Sequence, residues 1–177
     1  ENNPALILKR FAPKPAPRRR LTDEEIQKIY TYQGKFRDIY ITLLETGIRI
    51  MDLKLLTPSH IEGKLLNISQ LKTGERLCVP LPLKVLKMVK KRLQNRVLFE
   101  EIACEKGRRA CLSVLKDLLS PAKGITMHAF RHTYAHTMLN KGVPKEVLQT
   151  LLGHKSIKTT ERYANFVEAQ VLGRWVR

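Results

Sequence analysis

The stretch from Ile125 to Ala164 places the tightest demand on how this chain folds. It reads Ile-Thr-Met-His-Ala-Phe-Arg-His-Thr, then a helical pattern, then Leu-Leu-Gly-His at 151–154 and Thr-Thr-Glu-Arg-Tyr-Ala at 159–164. With Thr126 as N-cap and Gly142 and Pro144 as stop signals, 127–140 is expected to be one helix. Met127, Phe130, Tyr134 and Met138 then form one apolar stripe, with His128 and Arg131 at its edge in the first turn. The free N–H groups and positive dipole end of a helix N-terminus favour an anion there, and a phosphate suits the site. Taken alone, a His and an Arg three apart are more often an ordinary polar flank. A zinc reading of His128, His132 and His136 is weaker, because Ala129 stands where the metalloprotease motif needs Glu.

The remaining chain divides at its own punctuation. Thr22 with Glu25 is a capping box opening a helix over about 23–33, with Ile26, Ile29 and Tyr30 inward. A second helix, about Phe36–Glu45, ends at Thr46-Gly47, where glycine supplies a left-handed cap. Arg49 follows, and Asp52 lies three residues on, in a short helix ending near Leu56; spacing alone favours a surface ion pair. Leu65–Leu71 and Arg76–Leu81 read as a β-hairpin turning through Lys72-Thr73-Gly74-Glu75, with a third short strand beside it. From Leu83 the pattern is helical, with Val85, Leu86, Val89 and Leu93 inward and Lys84, Lys87, Lys90, Lys91 and Arg92 outward. Further helices are expected near 97–105, 109–119 and 144–152, the last capped by Gly153, and one from Ser156 that carries Tyr163. Phe166–Arg177 reads as a terminal helix that docks on an apolar groove.

Charge narrows the partner. The 177 residues carry 33 Lys and Arg against 16 acidic residues, a net charge of +17, which points to a polyanion and first to nucleic acid. Only 6% of residues are aromatic, so duplex backbone contact fits better than stacking on single strands. An anionic membrane surface ranks second, and no run is long enough to span a bilayer. Without a visible signal peptide, and with Cys78, Cys104 and Cys111 lacking metal-ligand spacing, the chain reads as cytoplasmic with reduced, packed thiols. Residues 1–20 form a basic, proline-rich arm or interdomain linker, and such a start predicts a longer protein before it. Arg18, Arg19 and Arg20 in the arm, and Lys87 and Lys91 on the helical face, are the candidate DNA contacts. A solvated tether and a solvated face are the competing readings of those two charge runs.

A tyrosine attacking a DNA phosphodiester needs two guanidiniums on the non-bridging oxygens, an acid for the leaving 5′ oxygen and an assistant for the phenol. Arg49, Lys72, His128, Arg131, His154 and Tyr163 are a candidate set for those roles, with Asp52 in support.

In order and register, these residues resemble the catalytic domain of the tyrosine recombinases, the phage integrase family. The matching motifs are Thr46-Gly47-Ile48-Arg49, Leu71-Lys72-Thr73-Gly74, His128-Ala129-Phe130-Arg131, Leu152-Gly153-His154 and Arg162-Tyr163, over about residues 22–165. The resemblance implies a mainly α domain with a small antiparallel β-sheet (α+β), spanning 21–165, and a tail helix at 166–177 that protomers exchange. It implies that Arg49 and Arg131 bind the scissile phosphate, Lys72 protonates the leaving 5′ hydroxyl, His128 assists the tyrosine, and His154 hydrogen-bonds the phosphate. Tyr163 would form a 3′-phosphotyrosyl bond, with neither metal nor nucleotide cofactor, and Asp52 would support Arg49. His132 would be a packed neighbour. The implied partner is double-stranded DNA, bound by a homo-tetramer at full length and by a monomer as a fragment without the family's core-binding domain. Two alternatives keep the fold: a catalytically silent DNA-binding regulator, and a type IB topoisomerase-like relaxing enzyme.

Overall fold

In the computed structural model, residues 19–121, 123–154 and 156 are described. The first helix, α1 (Asp23–Thr31), starts at the capping box read from sequence. Glu25 N–H donates to Thr22 Oγ1 at 3.3 Å, and Thr22 N–H donates back to a Glu25 carboxylate oxygen at 2.8 Å. Leu21 is fully buried, and its N–H donates to Thr133 Oγ1 at 2.9 Å.

Helix α2 (Arg37–Thr46) ends on Gly47 at φ 64°, the left-handed cap that the Thr-Gly pair announces. It leads through Arg49 into a one-turn helix, α3 (Ile50–Leu53). Three antiparallel strands follow: β1 (Ile61–Glu62), β2 (Leu65–Ser69) and β3 (Arg76–Pro80). Leu66 pairs with Val79 and Ile68 with Leu77, and these four side chains are the buried face. Ladder pairing in β2 stops at Ser69, two residues short of the expected strand end, and Lys72 lies in the connecting turn.

Beyond the sheet come α4 (Leu83–Lys90), α5 (Glu105–Leu118), α6 (His128–Asn140) and α7 (Lys145–Leu152). Only a three-residue 3-10 turn, Glu100–Ile102, stands where a helix over 97–105 was expected. Helix α4 stops three residues before Leu93, which is 40% exposed and not inward. Arg92 is not outward either. Its guanidinium reaches Asp38 at 3.1 Å and Glu101 at 2.9 Å and lies over the Phe99 ring. Those partners come from α2 and from the loop and turn that follow α4, which helical periodicity does not register.

Helix α6 is central and not a one-sided amphipath. Ala129 and Phe130 belong to the main core, with the Phe130 ring stacked on Tyr40 at 5.9 Å. Tyr134, Ala135 and Leu139 face a second cluster with Leu148 and Leu152 of α7. A helix covered on most sides has no single apolar stripe, and Met127 and Met138 are only partly buried. Its N-cap is Met127, without a side-chain cap bond, in place of Thr126. Pro144 is the N-cap of α7, and Gly153 ends that helix at φ 60°. Of the three cysteines expected to pack, only Cys111 is buried. Cys78 and Cys104 are exposed, and the Cys104 sulfur caps α5 by accepting from Gly107 N–H. Burial pushes the Cys111 thiol up to about 12. Among the described residues, no helix is long and apolar enough to cross a membrane.

Candidate DNA-phosphate site

Arg49, Asp52, Lys72, His128 and Arg131 line one cavity of about 220 Å³, closed on its apolar side by Ile48, Ile50, Met51, Leu71 and Met127. Three separate segments supply it: the stretch from the Gly47 cap through α3, the β2–β3 turn, and the start of α6. Four basic side chains converging on an otherwise apolar wall suit a compact anion with strong acceptor oxygens.

Arg131 is 5% exposed and crosses between layers. Its Nη1 donates to the Gly47 carbonyl at 3.0 Å and its Nη2 to the Leu152 carbonyl. Both acceptors are backbone groups freed at helix ends that terminate in left-handed glycines. The caps of α2 and α7 therefore orient the guanidinium. A Cβ on Gly47 would lie 2.5 Å from the Tyr134 ring, so the close approach of α2 to α6 also needs a glycine there.

Arg49 is held from two sides. Nη1 donates to Gln70 Oε1 and stands 3.7 Å from Asp52 Oδ2. Among the described residues, its Nη2 and Nε make no hydrogen bond. The Asp52 side chain is 2% exposed, so the surface ion pair that spacing favoured is a buried one. Asp52 also accepts Leu71 N–H on Oδ1 at 2.8 Å, stapling the turn that carries Lys72 onto α3. One carboxylate thus sets Arg49 and the backbone beside Lys72 together.

Gln70 is the site residue that motif reading passed over. It is 1% exposed, accepts Thr73 Oγ1 at 2.9 Å as well as Arg49, and donates from Nε2 to the Leu152 carbonyl at 2.8 Å. A signal was present, because the β2 alternation buries Leu66 and Ile68 and so points position 70 inward. A glutamine in a core phase requires partners.

His128 is exposed at the cavity mouth. His154 is half-buried just past the Gly153 cap, its N–H on the Gln149 carbonyl at 3.1 Å, and it is not part of the cavity lining. Tyr163 lies outside the described residues, as do the helices expected from Ser156 and over 166–177. Four of the five tyrosines are described, and none lines the cavity. Burial raises the phenols of Tyr30, Tyr40 and Tyr134, and the first two donate to Glu45 and to the Cys111 carbonyl.

Of the candidate DNA contacts, Lys87 and Lys91 are exposed on and just after α4, Arg20 is exposed, and Arg18 lies outside the described residues. Arg19 is engaged within the fold. It meets Glu25 at 2.6 Å and the Lys123 carbonyl at 3.0 Å, and the Glu25 hydrogen bond raises its pKa.

Comparison with known proteins identifies the family and the fold. The sequence model described as the phage integrase family matches residues 19–169. The tyrosine recombinase XerA of Pyrococcus furiosus is 31% identical over 171 residues, covering 85% of this chain and 58% of the relative. The catalytic domain of bacteriophage HP1 integrase superposes with a TM-score of 0.68 at 22% identity, covering 88% of this chain and 92% of that one. A lambda integrase dimer bound to a COC′ core site gives a TM-score of 0.68 at 25% identity, covering 83% and 59%. The chain spans under two-thirds of the length of the curated XerA relatives that it matches.

Proposed function

Since the chain belongs to the phage integrase family, we propose that it cleaves and rejoins duplex DNA at a specific site through a 3′-phosphotyrosyl intermediate. The observation that carries this reading is the single cavity where Arg49, Lys72, His128 and Arg131 converge over a buried Asp52.

The two guanidiniums approach one phosphate from different layers and neutralise the charge that builds on its non-bridging oxygens. The Tyr163 phenol, pKa ordinarily about 10, passes its proton to His128 as its oxygen attacks phosphorus. The phosphorus–O5′ bond breaks, and Lys72 from the hairpin turn protonates the leaving oxygen. His154 donates a hydrogen bond to the phosphate. One phosphodiester replaces another, so the bond energy is kept, and attack by a 5′ hydroxyl on the phosphotyrosine reverses the step. Tyr163 is supported as nucleophile by its place in the Arg162-Tyr163 motif, and none of the other four tyrosines lines the cavity. No member of the set is replaced, which favours an enzyme over a silent regulator. At full length the protein acts as a tetramer on two DNA sites, and Lys87, Lys91, Arg20 and Arg18 contact backbone phosphates.

The test is denaturing-gel trapping of covalent adducts on nicked duplex fragments, with the full-length protein and its Tyr163→Phe variant. An adduct at one phosphate that vanishes in the variant, while DNA binding survives, is the expected result. Salt-sensitive binding without any adduct would overturn the enzymatic reading in favour of a binding protein.

A further inference from the structure

Gln70 holds a single planar amide between Arg49, the β2–β3 turn and the C-terminal end of α7. Its orientation is dictated by its neighbours. Arg49 and Thr73 are donors and require Oε1 on their side, while the Leu152 carbonyl requires Nε2. The Leu152 carbonyl is shared, because Arg131 Nη2 donates to it as well. Gly153 supplies an independent sign of the same contact. A Cβ there would stand 2.4 Å from Gln70 Nε2, so the amide occupies the space that any side chain at 153 needs. The neighbours of this network are the working groups: Thr73 adjoins Lys72, and Gly153 adjoins His154.

We propose that Gln70 is a positioning residue that fixes Arg49 and Arg131 relative to one another and ties both to the turns carrying Lys72 and His154. This rests on the phosphoryl chemistry proposed above. The role needs an acceptor with two lone pairs and a donor on one rigid group of this length. Glutamate keeps the acceptor for Arg49 but has no donor for the Leu152 carbonyl. Methionine keeps the volume and loses both functions. Because a misplacement of about 1 Å can cost about 100-fold in rate, loosening both guanidiniums acts on the chemical step and leaves contacts along the duplex intact.

The experiment compares Gln70→Met, Gln70→Glu, Arg49→Ala and the Gln70→Met/Arg49→Ala double variant in the full-length protein. On a nicked duplex that traps the wild-type adduct, Gln70→Met is expected to lower the single-turnover cleavage rate by about 10- to 100-fold. Its affinity for the duplex stays within about twofold, a loose bound set by the unchanged phosphate contacts. The double variant is slower than Arg49→Ala by clearly less than the Gln70→Met factor, since part of the glutamine's effect runs through Arg49 and only the rest through Arg131. A wild-type rate in Gln70→Met, or independent, multiplicative losses in the double variant, overturns the inference. If the wild-type protein forms no adduct, the functional reading fails, and side-chain NMR of ¹⁵N-arginine protein decides the positioning role alone. Gln70→Met then shifts the Nε–Hε signals of both Arg49 and Arg131 and lowers their order parameters; unchanged signals overturn it. If Gln70→Met does not fold, Gln70→Glu carries the test. It must perturb the Arg131 signal while the Arg49 signal stays ordered, and the absence of any Arg131 change counts against the proposal.

Discussion

At the scale of single residues, Asp52 carries the most consequence for its size. Its two oxygens serve two clients, Leu71 N–H and the Arg49 guanidinium, from a position almost closed to water. Asp52→Ala strands the Leu71 N–H and leaves Arg49 without its counter-charge, so urea unfolding should show a loss of about 1–3 kcal/mol. Asp52→Asn keeps an acceptor for Leu71 and should recover much of that stability. It should not recover cleavage, because the amide no longer anchors the guanidinium by charge. Equal stability and cleavage in all three proteins would remove Asp52 from the site. The i,i+3 spacing of Arg49 and Asp52 was visible in the bare sequence, but its burial was not. The hairpin turn that covers Asp52 comes about 20 residues later, and no local pattern records that it folds over α3. Gln70 was more accessible to reading, because strand alternation alone puts it inside and its polarity then demands an explanation.

At the scale of elements, ends were more legible than surroundings. The Thr22 box, the Gly47 and Gly153 caps and the period-2 hairpin are local chemistry, and each stands where it was read. Helix α6 and Arg92 differ from their reading for one reason: their environments come from outside their own elements. Two helix ends give tests. Gly47→Ala forces a left-handed alanine against Tyr134 and displaces the carbonyl that holds Arg131. Strain and overpacking together should cost about 2–4 kcal/mol in thermal or urea melts. An unchanged melt would mean that the α2–α6 contact is looser than described. At the start of α1, the Arg19 hydrogen bond leads the causes that lower the Glu25 pKa below the ordinary carboxylate value. A depressed folded pKa makes this contribution complete above the unfolded value of about 4.3, and it is lost as pH falls through the lower folded value. Glu25→Gln should therefore lower stability at pH 7 and flatten the acid limb of the stability–pH curve below about pH 4.5. An acid limb as steep as wild type would place the acid-sensitive group elsewhere.

At the scale of the whole molecule, a net charge of +17 does not make every basic residue a DNA contact. Sorting them by partner separates two populations. Arg19 and Arg92 are engaged with carboxylates and backbone carbonyls and act as internal ties. Lys87 and Lys91 are exposed around α4, next to that same Arg92, and no described carboxylate is in ion-pair contact with them. The two populations should respond oppositely to substitution. Replacing Lys87 and Lys91 together by Ala should weaken duplex binding and reduce the magnitude of the log K against log salt slope by about 1.8, at about 0.9 per phosphate contact. Stability should stay within about 0.5 kcal/mol of wild type, as expected for surface changes away from packed features. Arg92→Ala should do the reverse. It leaves Asp38 and Glu101 facing each other across a part-buried gap, costing about 1–3 kcal/mol while the salt slope holds. Fluorescence anisotropy across a salt series, with urea melts of the same three proteins, measures both quantities. A slope that falls for Arg92→Ala and holds for the lysine pair would move the proposed DNA face off α4 and onto other basic surfaces. Lys87 and Arg92, like in charge and five residues apart on one expected outward face, are thus distinguished only by what the folded chain brings to each of them.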